Sequence, residues 1–193
     1  MISIEQEKDR LRRELRRARN ALSPEWREGA SRRITDNLLA WNQFISMEVI
    51  HSYLSWRSEV TTAELIKHIW GMGKKVVAPR VDILHHILEH FYIQEFNNVL
   101  SGAFGIPEPD PLHCKPARTK DLQLIIVPGV GFDRRGNRLG SGHGFYDHFL
   151  AQTSAVRVGL AFSMQMIDHV PVGGHDQKMD FVVTEDELIA CDE

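Results

Sequence analysis

From Lys8 to Leu22 apolar side chains recur at Leu11, Leu15, Ala18 and Leu22, the three- and four-residue spacing of an amphipathic helix. Its other face carries Lys8, Arg12, Arg16 and Arg19. Ser23-Pro24-Glu25 reads as a second helix start, with a capping oxygen, a proline suited to the first turn and an acid favoured by the helix dipole. Trp26, Ala30, Ile34, Leu38 and Trp41 then fall on one face of that helix. After Trp41 the period shortens. MEVIHSYL and KKVVAP read as short strands, with TTAELIKHIWG between them as a helix ended by glycine. ILEHFYIQEF is dense in β-formers and predicts one or two strands, and GIPEPDPLHCKP, with four prolines, predicts a loop. LQLIIVP is a continuous apolar run, the pattern of a strand buried on both faces. FYDHFLAQ suits a helix, AVRVGLAF and DFVVT suit strands, and TEDELIA carries the capping box of a last helix at Thr184 and Glu187.

Helices alternating with short buried strands predict one three-layer α/β/α domain over residues 1–193, with a mostly parallel sheet. In such folds ligands sit at the carboxyl ends of the strands, here near the loop after LQLIIVP. A chain of 193 residues has the length of one domain and buries about 70% of the surface of its unfolded form. No repeat or low-complexity tract interrupts it.

A net charge of −3 supplies no global attraction to nucleic acid or to a membrane surface, and no apolar run approaches the ~20 residues of a spanning helix. The N-terminal stretch lacks the apolar core of a signal peptide, and two distant cysteines, Cys114 and Cys191, build neither a disulfide framework nor a thiolate metal site. A cytoplasmic protein is expected.

The densest chemistry lies in GFDRRGNRLGSGHGFYDHFL, residues 131–150. A buried strand, then a glycine-rich loop, then a helix start is an arrangement that binds phosphate through converging backbone N–H groups. Gly140, Gly142 and Gly144 alternate immediately before Phe145, and Arg138, Arg134 and Arg135 are candidates for charge-assisted contacts. The spacing fits neither a P-loop, since Asn137-Arg138 follows where Lys-Ser/Thr is needed, nor the dinucleotide G-x-G-x-x-G. The glycines flanking Ser141 are adjacent to it, which is not nucleophile-elbow spacing. A flexible surface loop is the alternative.

The run VPGVGFDRRGNRLGSGHGFYDHFL resembles the hallmark of the 5-formyltetrahydrofolate cyclo-ligase (methenyltetrahydrofolate synthetase) family. KDRLRRELRRARNALS, SYLSWRSEVTT, GIPEP and GLAFSMQMIDHVPVGGHDQKMDFVVTE resemble further family segments in the right order. The resemblance implies ATP-dependent closure of 5-formyltetrahydrofolate to 5,10-methenyltetrahydrofolate, with ADP and phosphate released. The implied route is phosphorylation of the formyl oxygen followed by attack of N10. It also implies Mg²⁺ as cofactor and ATP as co-substrate; a monomer with no nucleic-acid or membrane partner is expected.

Carried onto this sequence, the resemblance assigns ATP binding to Lys8 and Arg12 and to the run Arg138, Leu139, Gly140, Ser141, Gly142, His143, Gly144, Phe145 and Tyr146. It assigns substrate binding to Leu54, Glu59, Ser141, Gly142, His143, Gly144 and Phe145, catalysis to Arg138 and Asp147, and magnesium to Asp147 and Asp176. Read without it, Lys8 and Arg12 are a solvated basic face, Asp147 a dipole-stabilising acid and Glu59 a helix-entry acid. The family often has Arg where Ser141 stands, Lys where His143 stands and Tyr where Phe145 stands, so the loop carries less positive charge than usual. Trp56 has no assigned role. Two other function classes stay open: a nucleotide-binding paralogue without folate chemistry, and a zinc hydrolase built on His86, Glu89 and His90, the pattern H-x-x-E-H. The zinc reading requires a helix. A strand here would put the two histidines about 13 Å apart, and His85, His86 and His90 are then expected on the surface.

Overall fold

The computed structural model describes residues 3–192. Five helices are present among them: α1 (Ile4–Ala21), α2 (Pro24–Leu39), α3 (Asn42–Ser46), α4 (Ala63–Gly71) and α5 (Phe145–Leu150). The strands are β1 (Val49–Ser52), β2 (Lys75–Asp82), β3 (Ile87–Ile93), β4 (Val99–Ser101), β5 (Pro107–Pro109), β6 (Lys115–Pro116), β7 (Leu124–Val127), β8 (Gly131–Phe132), β9 (Arg138–Leu139), β10 (Val156–Leu160), β11 (Phe181–Val183) and β12 (Leu188–Ala190).

Eight strands form the main sheet in the order β12-β11-β10-β7-β1-β2-β3-β6. The five from β11 to β2 are parallel, while β12, β3 and β6 pair antiparallel at the flanks. Strand β7 is central and wholly buried, as its apolar run predicts. Its residues alternate between two cores: Leu124 and Ile126 face α2, α3 and α4, and Ile125 and Val127 face α5. Ile34, Leu38, Leu65, Ile66 and Ile69 fill the first core from the helices; Phe149 and Leu150 enter the second from α5, beside Phe132. The mostly parallel sheet with helices on both faces is thus as expected.

Helix α2 starts where the cap predicts, with Ser23 Oγ accepting from Trp26 N–H at 3.1 Å. Three expectations fail. TEDELIA is not a helix: Thr184 Oγ1 accepts from Asp186 and Glu187 N–H, but the segment turns into β12 and pairs with β11. The proline-rich loop contributes two short strands, β5 and β6. Helix α1 is rotated relative to its apolar stripe, burying Lys8, Leu15 and Arg19 while Ala18 is exposed. It packs Leu15 against Val130, Leu139 and Val170 around the β8–β9 hairpin, which turns Lys8, Arg12, Arg16 and Arg19 toward a cavity.

Candidate active site

Inward-pointing charge needs something to face, and α1 faces a cavity of about 930 Å³. The cavity lies at the carboxyl ends of β1, β2 and β7: the chain just past β1 and β7 supplies Tyr53 and Leu54 and Pro128 to Val130, and β2 itself supplies Pro79 and Val81. Every residue that the resemblance assigns to binding or catalysis lines it: Lys8, Arg12, Leu54, Glu59, the run Arg138 to Asp147, and Asp176.

The glycine loop follows β9 and ends in α5. Gly142 and Gly144 have φ of +102° and +73°, conformations that side chains with a Cβ resist. Among the described residues, no amide from Ser141 to Asp147 donates a hydrogen bond to another protein group. These N–H groups form a concave, electropositive turn suited to an anion. Gly140 permits a close approach of another kind, because a Cβ there would stand 2.8 Å from Arg138 Nη1. Arg138 can therefore fold beneath the loop, where Nη2 donates to Asp147 Oδ1 at 2.8 Å and Nη1 to the Pro128 carbonyl at 3.2 Å. Its guanidinium also lies over the Tyr146 ring, 5.7 Å from the centroid.

Positive charge missing from the loop's own sequence is supplied by α1. Arg12 Nε donates to the Gly140 carbonyl at 3.1 Å and Arg16 Nη2 to the Ser141 carbonyl at 3.0 Å. Lys8 is buried, with Nζ donating to Asp176 Oδ2 at 2.5 Å, and Gly173 N–H donates to the same oxygen at 2.6 Å. Burial works against charge on Asp176, but those two hydrogen bonds and the cations of Lys8 and Arg138 outweigh it and hold the carboxyl below its ordinary value. Asp147 Oδ1 accepts from both Arg138 and Gln177 N–H, the latter at 3.3 Å. The loop bearing Asp176 is thereby tied to α5.

At the other end, Glu59 Oε2 accepts from Trp56 N–H at 2.9 Å. Burial raises the Glu59 carboxyl above its ordinary value, and the Trp56 amide and the nearby Arg19 and Arg16 only partly offset it. Arg19 is buried, donating to Ser58 Oγ at 3.1 Å, and burial lowers its proton affinity. Leu54, Trp56, Leu88, Phe104 and Phe145 make this end apolar and aromatic.

This chain belongs to a known family. A model described as the 5-formyltetrahydrofolate cyclo-ligase family matches residues 4–185. The chain is a member of the cyclo-ligase family. It is 32% identical to a mouse (Mus musculus) 5-formyltetrahydrofolate cyclo-ligase over 96% of this chain and 97% of that protein. A Haemophilus influenzae protein of the same name is 30% identical over 86% of this chain and 91% of that one. The Aquifex aeolicus 5,10-methenyltetrahydrofolate synthetase structure superposes with a TM-score of 0.85 at 28% identity, covering 96% of this chain and 93% of that chain. Membership makes the protein an enzyme of a ligase family.

Other expectations for this cyclo-ligase chain need correction. Arg134 and Arg135 leave the loop, the first pairing with Glu187 and the second with His169 and Asp133. The H-x-x-E-H pattern runs from a turn into β3, and its members part: His86 faces the cavity, Glu89 pairs with Arg80, and His90 is buried beneath α5 rather than exposed. No cluster of three metal-ligating side chains exists among the described residues, so the zinc reading is set aside. His85 is exposed and bonded to Asp82. Reasoning from sequence left Arg16, Arg19, His86, Phe104 and Gln177 without a role at the cavity. Arg16 and Arg19 share the basic face of α1 and were the legible ones; the others arrive from distant segments.

Proposed function

We propose that the protein closes 5-formyltetrahydrofolate to 5,10-methenyltetrahydrofolate at the expense of ATP. The observation that carries this reading is the division of one cavity into a basic end with an amide-lined turn and an aromatic end with a buried carboxylate. Triphosphate suits the first end, and a planar amino-substituted ring suits the second. In this reading Lys8, Arg12 and the amides of residues 141–147 hold the nucleotide phosphates. Glu59 accepts hydrogen bonds from the pterin, and Leu54 and Phe145 contact its ring.

The terminal phosphoryl group passes to the formyl oxygen, releasing ADP. N10 then attacks the activated carbon and loses its proton, and the former formyl oxygen departs with phosphate. Phosphoryl transfer gains most from positioning and from neutralising charge on the transferring group. Arg138, pinned by Asp147 and the Pro128 carbonyl, presents a fixed cation there. Asp147 and Asp176 each keep one carboxylate oxygen outside any hydrogen bond among the described residues. Such hard donors on one cavity wall fit magnesium, which takes one or two carboxylates with water and phosphate oxygens. Bound there, the ion would neutralise phosphate charge.

Mixing the protein with 5-formyltetrahydrofolate and Mg-ATP should yield methenyltetrahydrofolate, followed by absorbance. EDTA should abolish turnover and excess Mg²⁺ restore it. Nucleotide binding without any ATP-dependent product would favour the paralogue reading.

Lys8→Ala and Arg12→Ala should each raise the KM for ATP by about 10- to 100-fold, the loss of one charge-assisted hydrogen bond. Unchanged ATP kinetics in both variants would return this face of α1 to a structural role.

A further inference from the structure

The non-glycine residues with positive φ among those described are Arg57, His86 and Phe104, at +55°, +56° and +58°. All three line the cavity. A left-handed backbone is uncommon for residues with a Cβ, and such conformations concentrate at functional sites. His86 closes the four-residue turn between β2 and β3, a position that glycine would take without cost.

Its ring is where the turn alone would not require one. It stacks on Phe145 with centroids 4.5 Å apart and planes 28° from parallel. The His143 ring also lies near Phe145, 6.4 Å away and at 25°. His86 Nε2 also comes within 4.0 Å of where a Cβ on Gly144 would stand, so the imidazole covers the joint between the glycine loop and α5. Phe145 needs such support, because Gly142 and Gly144 just before it leave its backbone free to pivot.

We infer that His86 is a positioning residue for the folate ring, holding Phe145 flat against the aromatic end of the cavity by stacking on its outer face. The inference rests on the cyclo-ligase reading. His86 bears on the Phe145 ring rather than on Lys8, Arg12 or Arg138, so its main effect falls on folate affinity and less on ATP or the chemical step.

The test compares the wild type with His86→Ala, His86→Gly and His86→Phe. For each, KM and kcat are measured by methenyl absorbance, 5-formyltetrahydrofolate binding by calorimetry without ATP, and stability by urea unfolding. His86→Ala and His86→Gly should raise the folate KM and Kd by about 10-fold, leaving kcat within two-fold and moving the ATP KM less than the folate KM. His86→Gly should be at least as stable as the wild type, since it relieves the left-handed backbone, which separates lost binding from lost folding. His86→Phe, keeping a flat ring, should restore the folate KM. Folate affinity unchanged in His86→Ala, or not restored by phenylalanine, would overturn the inference. A wild type that makes no methenyl product would instead overturn the reading on which it rests.

Discussion

Arg138→Gln is expected to slow ring closure by at least about 100-fold, since an arginine that meets a transferring phosphoryl group is worth about 10³–10⁵ in rate. Arg138 is nearly inaccessible in the cavity wall, and it spends two of its donors on Asp147 and Pro128. The cation is thus fixed before any ligand arrives, which is what electrostatic catalysis requires. Glutamine removes the charge and leaves Asp147 without its cationic partner, with only the Gln177 amide donating to it. It should also cost about 1–3 kcal/mol of stability through buried acceptors left unsatisfied. Arg138→Lys keeps the charge but cannot reach Asp147 and Pro128 with one planar fork, so it should fall between wild type and Arg138→Gln. Single-turnover rates at saturating ATP and folate, with unfolding curves for each variant, separate the two losses. A folded Arg138→Gln enzyme within three-fold of the wild-type rate would remove Arg138 from the chemistry.

Acid should weaken the fold well before its carboxylates titrate. His51 on β1 and His90 on β3 lie buried with rings 5.2 Å apart, both packed on Phe149 of α5, at 4.9 and 4.2 Å. Among the described residues, neither nitrogen of His51, nor Nδ1 of His90, has a hydrogen-bond partner. Burial and the facing His90 push the His51 imidazole well below its ordinary value, and burial pushes His90 down to about 4. Tyr146 also faces the pair, its ring 6.2 Å from His51.

The unfolded chain takes up protons near pH 6.5 that the folded chain refuses, so the folded state is fully stable above that pH and loses stability as pH falls toward 4. His90 alone accounts for about 3 kcal/mol across that window. His51 adds in the same direction. His85, raised by its bond to Asp82, and Glu59, raised by burial, act oppositely, so the comparison must isolate the pair. Urea unfolding of wild type and His51→Leu/His90→Leu at pH 7.5, 6 and 5 does so. The wild type should lose stability over this range, and the double variant should lose markedly less. Parallel profiles would mean the two imidazoles stay protonatable in the folded state.

What could be read from the sequence was what burial forces into a period. Strand β7, buried on both faces, and α2, with Ala30, Ile34 and Leu38 fully buried, declare themselves because any other arrangement would leave apolar surface in water. Helix α1 misleads for the same reason. Its apolar stripe suggests a basic face left in water, but Lys8 and Arg19 turn inward along the cavity, where Asp176 and Ser58 are their partners. The Thr184 hydrogen bonds are common to a helix cap and a hairpin turn, and pairing with β11 decides between them. His90 was legible and missed: Leu88 and His90 alternate inward along β3 while Glu89 turns out to Arg80. His86 and Phe104 were not legible, because nothing local relates a turn after β2 to a helix start some 60 residues later.

The Lys8–Asp176 bond joins residues 168 positions apart. Between them the chain lays down its central strands out of order, with β7 between β1 and β10. A nascent chain that has emerged as far as α5 holds α1, the glycine loop and Asp147 but lacks the segment around Asp176 and Gln177 that ties Lys8 and Asp147 in place. High contact order of this kind makes closure of the site a late event, after the costly long loops have been brought together. No early folding intermediate can carry a finished cavity.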